Sequence, residues 1–147
     1  MDLQGSYTFD GHASDVWALL MDPASIASCV PGCESLEPIG EDRYRTVLNA
    51  GVGAITGTYE GTVAILDKEP TTAYRLVVDG TGRGGFVKGD ARITLLDRGP
   101  TTLVTVAGTA QVGGLIASVG QRLLGSVSKM MLDKFFACMN AKLGKTS

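Results

Sequence analysis

The stretch that decides the fold of this chain is residues 115–143, which read LIASVGQRLLGSVSKMMLDKFFACMNAKL. Apolar residues recur along it in steps of three and four, the spacing of one face of an α-helix. The members of this stripe are Ile116, Val119, Leu123, Val127, Met130, Met131, Phe135, Cys138 and Met139. The stretch would span roughly 43 Å at 1.5 Å per residue, and glycines at 113, 114 and 144 delimit it. We therefore predict one long C-terminal helix that needs a large apolar partner.

Most of the preceding chain has the alternating pattern of an antiparallel sheet with one wet face. A first strand is predicted around residues 3–9, followed by two short helices over 14–20, capped by Ser14, and 24–29. Six further strands are predicted near 33–39, 43–49, 55–65, 74–79, 86–96 and 103–112. The predicted fold class is α+β, with a curved seven-stranded antiparallel sheet wrapped around the long helix in a single domain over residues 1–147.

The alternation also predicts which side chains face the helix. Glu60, Arg92 and Thr105 should face water. The residues at the alternate positions should face the helix. They are Gly57, Gly61, Val63, Ile93, Val106 and Ala110.

Composition is that of a globular domain, with 147 residues, 44% hydrophobic and 19% charged. The net charge of −2 argues against nucleic acid as a partner. The C-terminal stretch is nevertheless basic, so its polar face is either solvated surface or a dock for an acidic partner or an anionic lipid. Its basic residues, set against Asp133 alone, are Arg122, Lys129, Lys134, Lys142 and Lys145.

The first residues lack the pattern of a signal peptide, and no apolar run reaches membrane-spanning length. We therefore expect a cytoplasmic protein, and we allow for its peripheral contact with the inner face of the membrane. Cys29, Cys33 and Cys138 then fit reduced structural thiols, because no histidine or further cysteine completes a metal set.

Alternate turns of the predicted meander fall at the same end, and one set is rich in glycine. It comprises residues 50–53, 80–85 and 113–115, with Val52, Phe86 and Leu115 beside it. The inward face is also rich in glycine and alanine, which leaves volume unfilled or allows the sheet to bend. These turns are either ordinary connections or the entrance to a cavity between sheet and helix.

Motifs for catalysis are weak. Residues 80–85 spell G-x-G-x-x-G, but a predicted strand follows where a dinucleotide site needs a helix. His12 is the only histidine, and no nucleophile–base pair stands out. Tyr59 and Tyr74 could offer a hydroxyl to a polar ligand head or simply fill the core.

Several segments together resemble one known family. They are DVWALL (15–20), DP (22–23), CVPGCE (29–34), GGFVKG (84–89) and AQVGG (110–114). The chain resembles the family of the carbon monoxide dehydrogenase G subunit, within the helix-grip superfamily of START and birch-pollen-allergen proteins. The resemblance implies a helix-grip fold and no catalytic residues. It also implies an accessory protein that binds a quinone and recruits a molybdenum-containing carbon monoxide dehydrogenase or related hydroxylase to the membrane.

We therefore expect a non-enzymatic carrier of a hydrophobic molecule, with a bound quinone or lipid, no covalent cofactor and no metal. The alternatives are a polyketide cyclase or hydratase-like enzyme of the same superfamily, and a docking module without ligand. Enlarging Gly108 or Ala110 to Leu should fill the pocket. The expected ligand-binding residues are Tyr59, Val63, Leu76, Val78, Phe86, Val87, Ala91, Ile93, Val106, Gly108, Ala110, Leu115, Val119, Leu123 and Val127.

Overall fold

The computed structural model describes residues 1–51 and 56–143. Val52 at the predicted entrance, Ile55 in the predicted fourth strand and the capping Gly144 lie outside these residues. The strands are β1 (Asp2–Phe9), β2 (Cys33–Gly40), β3 (Arg43–Ala50), β4 (Gly57–Glu69), β5 (Ala73–Gly82), β6 (Gly85–Asp97) and β7 (Thr102–Gly113). The helices are α1 (Ala13–Leu20), α2 (Pro23–Cys29), α3 (Leu115–Ser118) and α4 (Gln121–Leu143).

All seven strands form one antiparallel sheet in the order β1-β7-β6-β5-β4-β3-β2. The strands from β2 to β7 follow one another across the sheet in chain order, and β1 completes it by pairing with β7. Helices α1 and α2 carry the chain from β1 at one edge to β2 at the other. The predicted fold class is confirmed.

Side-chain burial follows the predicted parity. Ile93, Val106 and Ala110 are 2, 5 and 5% exposed on the inner face. Glu60 and Arg92 are exposed on the outer face. The inner face therefore points toward the helices, as the alternation predicts.

The predicted single helix over 115–143 is wrong, because the chain breaks into α3 and α4. Gly120 lies between them with φ of +89°, a left-handed conformation that favours glycine. The amide of Val119 bonds back to the carbonyl of Ile116, which ends α3 within a single turn. The remaining long helix, α4, has 23 residues and a length of about 35 Å.

The predicted apolar stripe is also rotated on α4. The buried residues of this helix are Leu124, Phe136 and Met139, whereas Leu123 and Met130 are 39 and 37% exposed. Because the helix is interrupted at Gly120, the helical phase of the residues before it does not continue into α4. Its backbone comes closest to β1, α1 and α2.

The inner face supports two clusters of packed side chains. The first, which we call the main core, is built around Phe9, Val16, Leu20, Val104 and Met139, each at most 1% exposed. The second core joins Tyr59, Ile116 and Leu124 at the glycine-rich end of the sheet. Separate cores leave part of the inner face between them.

Two local predictions near the short helices are wrong. Helix α1 begins after His12, whose carbonyl accepts from the amides of Asp15 and Val16, so Ser14 lies inside the helix rather than at its cap. Cys29 and Cys138 form a disulfide with their Cα atoms 5.5 Å apart, whereas we predicted reduced thiols. The bond joins α2 to α4, and spacing could not reveal it because 109 residues separate the two cysteines. Cys33 remains a free thiol.

Candidate functional site

Part of the inner face lies between the two cores and is not closely covered. Val63 on β4 and its cross-strand partner Val78 on β5 are half-buried, although they share the parity of buried neighbours. Among residues 1–51 and 56–143, a Cβ atom added at Gly89 would meet only the Cβ of Val78, at 3.9 Å, and one added at Gly80 would meet only the carbonyl oxygen of Glu60, at 3.8 Å. We call Val63, Val78, Gly80 and Gly89 the open region, because their apolar surface has unfilled volume beside it.

Gly61 and Gly108 fit one of the two roles predicted for inward glycines, that of allowing the sheet to bend, and not the other, that of leaving volume unfilled. A Cβ at Gly108 would lie 2.5 Å from the Cα of Ala91 and would also collide with the carbonyl of Asp90. A Cβ at Gly61 would collide with the carbonyl of Asp79. These glycines permit close approach of neighbouring strands, which bends the sheet. The expectation that Gly108→Leu fills a pocket is therefore wrong, because the new side chain has no room at its first atom.

A cleft of about 390 Å³ opens at the free edge of β7. Pairing with β1 ends where Met1 and Ala110 exchange backbone hydrogen bonds of 3.0 and 2.8 Å, so β7 continues beyond its neighbour. The start of α4 forms the opposite wall. The lining residues are Met1, Phe86, Ala110, Gln111, Val112, Gln121 and Leu124. This cleft borders the second core, which shares Leu124 with it.

The glycine-rich end is held in place by a backbone contact between α3 and the β5–β6 turn. The amide of Ile116 donates to the carbonyl of Gly84 at 2.8 Å. Gly85 and Gly114 approach each other closely, with φ of +127° and +77°, and a side chain on either would meet backbone atoms of the other's segment. The predicted entrance is thus a defined junction of turns and helix.

The fifteen predicted ligand-binding residues fall into three groups. Those buried in the inner face or the second core are Tyr59, Ala91, Ile93, Val106 and Ala110. Those half-buried are Val63, Leu76, Val78, Val87, Gly108, Val119 and Val127. Those exposed are Leu115 at 64%, Leu123 at 39% and Phe86 at 38%.

Strand register brings many of these residues into one continuous surface. Val63 pairs with Val78, Ala91 pairs with Leu76, and Ile93 pairs with Val106. Phe86 lies outside that surface, because its parity places it on the outer face, where the ammonium of Lys88 is 5.9 Å from its ring centre. Leu76 packs against the main core, and Val87 and Val119 pack against the second core.

Sequence reasoning missed five residues that line the cleft, namely Met1, Gln111, Val112, Gln121 and Leu124. Leu124 lies about 60° from Met139 around the helix, so the phase of Met139 favours its burial once the break at Gly120 is recognised. Met1 and Gln111 have no local signal, because their position follows from how far β1 extends along β7.

Charged side chains on the outer face pair with each other. Arg75 donates to Asp90 through Nε at 2.8 Å, and this hydrogen bond holds the pKa of the Asp90 carboxyl below its ordinary value. Arg92 pairs with Glu69 at 2.6 Å and Arg45 with Glu60 at 3.6 Å. These groups face water and are therefore unavailable to a ligand on the inner face.

Tyr7 and α4 form a polar contact at the edge of the main core. The Tyr7 hydroxyl donates to Asp133 at 2.8 Å, and Lys129 lies 3.1 Å from the same carboxylate. Burial, followed by the bond to Asp133, raises the pKa of Tyr7 to about 12. Burial also raises the pKa of Tyr74. The hydrogen bond from Tyr7 in turn lowers the pKa of Asp133, so the proton stays on the tyrosine and this arrangement is structural.

Within residues 1–51 and 56–143, no cluster of three metal-ligating side chains is found. None of the helices in the same ranges is long and apolar enough to cross a membrane.

Comparison with known proteins gives both a family and a fold. The family model described as CoxG, the G subunit of carbon monoxide dehydrogenase, matches residues 5–144. The crystal structure of a conserved protein from Geobacillus kaustophilus is similar, with 37% identity, a TM-score of 0.96 and coverage of 99% of this chain and 97% of that one. No curated protein matches.

More distant structures share the fold alone. A START superfamily protein from Mycobacterium smegmatis has 10% identity and a TM-score of 0.79, with 99% of each chain covered. The Zhui aromatase/cyclase from a Streptomyces species has 14% identity and a TM-score of 0.67, with 97% of this chain and 92% of that chain covered.

Proposed function

Because the chain belongs to the CoxG family of carbon monoxide dehydrogenase, we propose that it is a non-enzymatic carrier of a quinone. In this proposal it serves a molybdenum-containing carbon monoxide dehydrogenase or a related hydroxylase. It acts in the cytoplasm, at the inner face of the membrane, and helps to bring that enzyme to its quinone pool.

The observation that supports a carrier is the open region of the inner face. Val63 and Val78 keep part of their apolar surface exposed although the same face is packed on both sides, and Gly80 and Gly89 add no side chain to fill the space. Uncovered apolar surface forfeits dispersion contacts and hydrophobic stabilisation. An apolar ligand would restore both, at about 0.8 kcal/mol for each methylene it buries.

Extraction tests the proposal directly. The purified protein is extracted with organic solvent, and the extract is analysed by mass spectrometry beside that of an unrelated protein purified from the same host. We expect a quinone to be enriched in proportion to protein. Delipidated protein should rebind that quinone saturably, and failure of both measurements would overturn the carrier.

Recruitment is tested separately on α4. Arg122 and Lys134 are exposed, whereas Lys129 is ion-paired with Asp133 within the helix. The variant carrying Arg122→Glu and Lys134→Glu should bind the partner enzyme or anionic vesicles more weakly, and the difference should shrink at high salt. Arg98→Glu, in the turn between β6 and β7 and therefore outside α4, is the control. Equal binding by all three proteins would contradict recruitment through this face.

The cyclase alternative requires a catalytic group that a carrier does not need. A ring-closing enzyme needs an acid–base group beside its substrate, whereas the carboxylates of Glu60, Glu69 and Asp90 lie on the outer face in ion pairs. Turnover of a ring substrate by the purified protein would favour that alternative over the carrier.

A further inference from the structure

The Tyr59 hydroxyl is a polar group without a partner in an apolar surrounding. Tyr59 is 8% exposed, and its hydroxyl oxygen is the one buried side-chain nitrogen or oxygen without a hydrogen bond in the part of the chain that the structure describes. Leaving such a group unpaired costs about 1–3 kcal/mol. Buried polar groups are nearly always bonded in proteins, so this exception calls for a partner that the free chain lacks.

Two glycines create the space that the tyrosine occupies. A Cβ at Gly82 would lie 2.8 Å from Cδ1 of the Tyr59 ring, and a Cβ at Gly84 would collide with its hydroxyl oxygen. The ring therefore runs from β4 beneath the β5–β6 turn, and its hydroxyl ends beside Gly84. The carbonyl of Gly84 already accepts from the amide of Ile116 at 2.8 Å.

Several apolar side chains pack around Tyr59. Ile116 and Leu124 complete the second core with Tyr59, and the partly buried side chains packed against it are Met1, Ala50, Val87, Val112 and Val119. Met1, Val112 and Leu124 also line the cleft at the free edge of β7. A molecule that enters there would contact the same side chains that surround the hydroxyl.

We infer that the Tyr59 hydroxyl is the hydrogen-bond anchor for a ring carbonyl of the hydrophobic ligand. The inference rests on the proposed carrier function and adds the group that recognises the ligand's head. A donor at the inner end of this site favours an apolar molecule with one well-placed acceptor. It disfavours the same molecule without that acceptor, because the donor would then remain unpaired.

The test uses two probes that differ only in their carbonyls, 2,3-dimethyl-1,4-naphthoquinone and 2,3-dimethylnaphthalene. Methyl groups occupy both ring positions between the carbonyls of the quinone, so the Cys33 thiol has no free position there to add to. Affinities are measured by quenching of tryptophan fluorescence or by calorimetry on wild type, Tyr59→Phe and Tyr74→Phe. Tyr74 is the matched control, because it is a buried inner-face tyrosine in the main core, 5% exposed.

We expect Tyr59→Phe to weaken binding of the quinone about tenfold, the effect of one hydrogen bond of about 1.4 kcal/mol. Its affinity for the hydrocarbon should be unchanged, and Tyr74→Phe should alter neither affinity. Without ligand, Tyr59→Phe should melt at least as high as wild type, because it removes an unpaired polar group.

Each of the other outcomes would overturn the role of Tyr59 as the anchor. Unchanged quinone affinity in Tyr59→Phe would overturn the anchor and leave the carrier standing. Equal weakening of both probes would show that Tyr59 acts through packing, which also overturns the anchor. A lower melting temperature of ligand-free Tyr59→Phe would overturn it as well, by showing that the hydroxyl has a partner in the free protein. Failure of wild type to bind either probe would overturn the anchor, and only the extraction experiment would then decide the carrier.

Discussion

The apolar inner face is covered differently at the two ends of the sheet. At the main core, Phe136 stacks on Tyr7 with ring centres 4.4 Å apart and meets Phe9 edge-on at 6.0 Å. At the glycine-rich end, a short helix and a few side chains cover Tyr59, and Leu115 projects 64% exposed. The same alternating pattern produces both ends, so the difference comes from what the helices place over each.

Covalent and polar links reinforce the main core. The Cys29–Cys138 disulfide joins α2 to α4 there, the amide of Asp10 donates to Asn140 at 2.9 Å, and the Thr102 hydroxyl donates to the carbonyl of Gly11 at 2.9 Å. One end therefore supplies stability, while the other can keep uncovered surface for a ligand. Mutations at the two ends should separate stability from binding.

The largest effect on stability is expected from Phe136→Ala. Phe136 is 4% exposed and contacts three other aromatic rings, so truncation should lower the free energy of unfolding by about 3–5 kcal/mol. The matched control on the same helix is Leu123→Ala, where the side chain is 39% exposed and the loss should be under ~1 kcal/mol. Denaturant titration measures both, and similar losses would refute the contrast between the two sides of α4.

Breaking the disulfide should have the next largest effect. Cys138→Ser opens a link across 109 residues, and loss of such a cross-link typically costs about 2–5 kcal/mol. Cys33→Ser is the control, since that thiol is free. Thiol counting in denaturant should find one reactive thiol per chain before reduction and three afterwards. A count of three before reduction would show that the bond is absent in solution.

A smaller, pH-dependent effect is expected at Tyr7. Its pKa is raised from 10.0 to about 12 in the fold, so the stabilisation is present in full below pH 10. It is lost as pH rises from 10 to 12, because the unfolded chain releases this proton first. Tyr7→Phe should therefore show a shallower loss of stability over that interval. Absorbance of the phenolate should also show one fewer group ionising near pH 12, and an unchanged absorbance change in that interval would contradict the raised pKa of Tyr7.

The sequence was sufficient to predict the sheet, because alternation is a local property that each strand carries by itself. It was insufficient for α4, because the left-handed conformation of Gly120 cannot be told from an ordinary helical glycine without tertiary contacts. The same limit applies to Gly89 and Gly108. They share the inward parity, yet only the paths of the neighbouring strands decide that a side chain at Gly89 has room and one at Gly108 does not.

The pair formed by Val63 and Val78 illustrates why the site was only partly predictable. Their inward orientation follows from parity, but their half-burial depends on which part of the inner face the helices cover. No pattern within β4 or β5 encodes where a helix much later in the chain will lie. The position of the candidate site therefore depends on which part of the inner face the helices leave uncovered, and residue type alone could not locate it.

The smallest effect on stability is expected where the contrast between the two ends is tested most directly, at Gly89→Leu. The first added atom would meet only Val78, at an ordinary contact distance of 3.9 Å, so the rest of the side chain should extend into the open region. Replacing a strand glycine removes backbone entropy from the unfolded chain, which should leave stability equal or up to about 1 kcal/mol higher. Quinone affinity should fall at least tenfold, because the side chain takes the ligand's volume.

Gly40→Leu separates this steric effect from the general benefit of replacing glycine. Gly40 ends β2, and a Cβ there would meet only the side chain of Arg43 at 3.9 Å. It should share any gain in stability without losing affinity. If Gly89→Leu instead unfolds more easily by about 1–3 kcal/mol, as overpacked cores do, and binds quinone as well as wild type, the open region is already filled. The inner face toward the glycine-rich end would then differ from the main core in composition, but it would be packed just as fully.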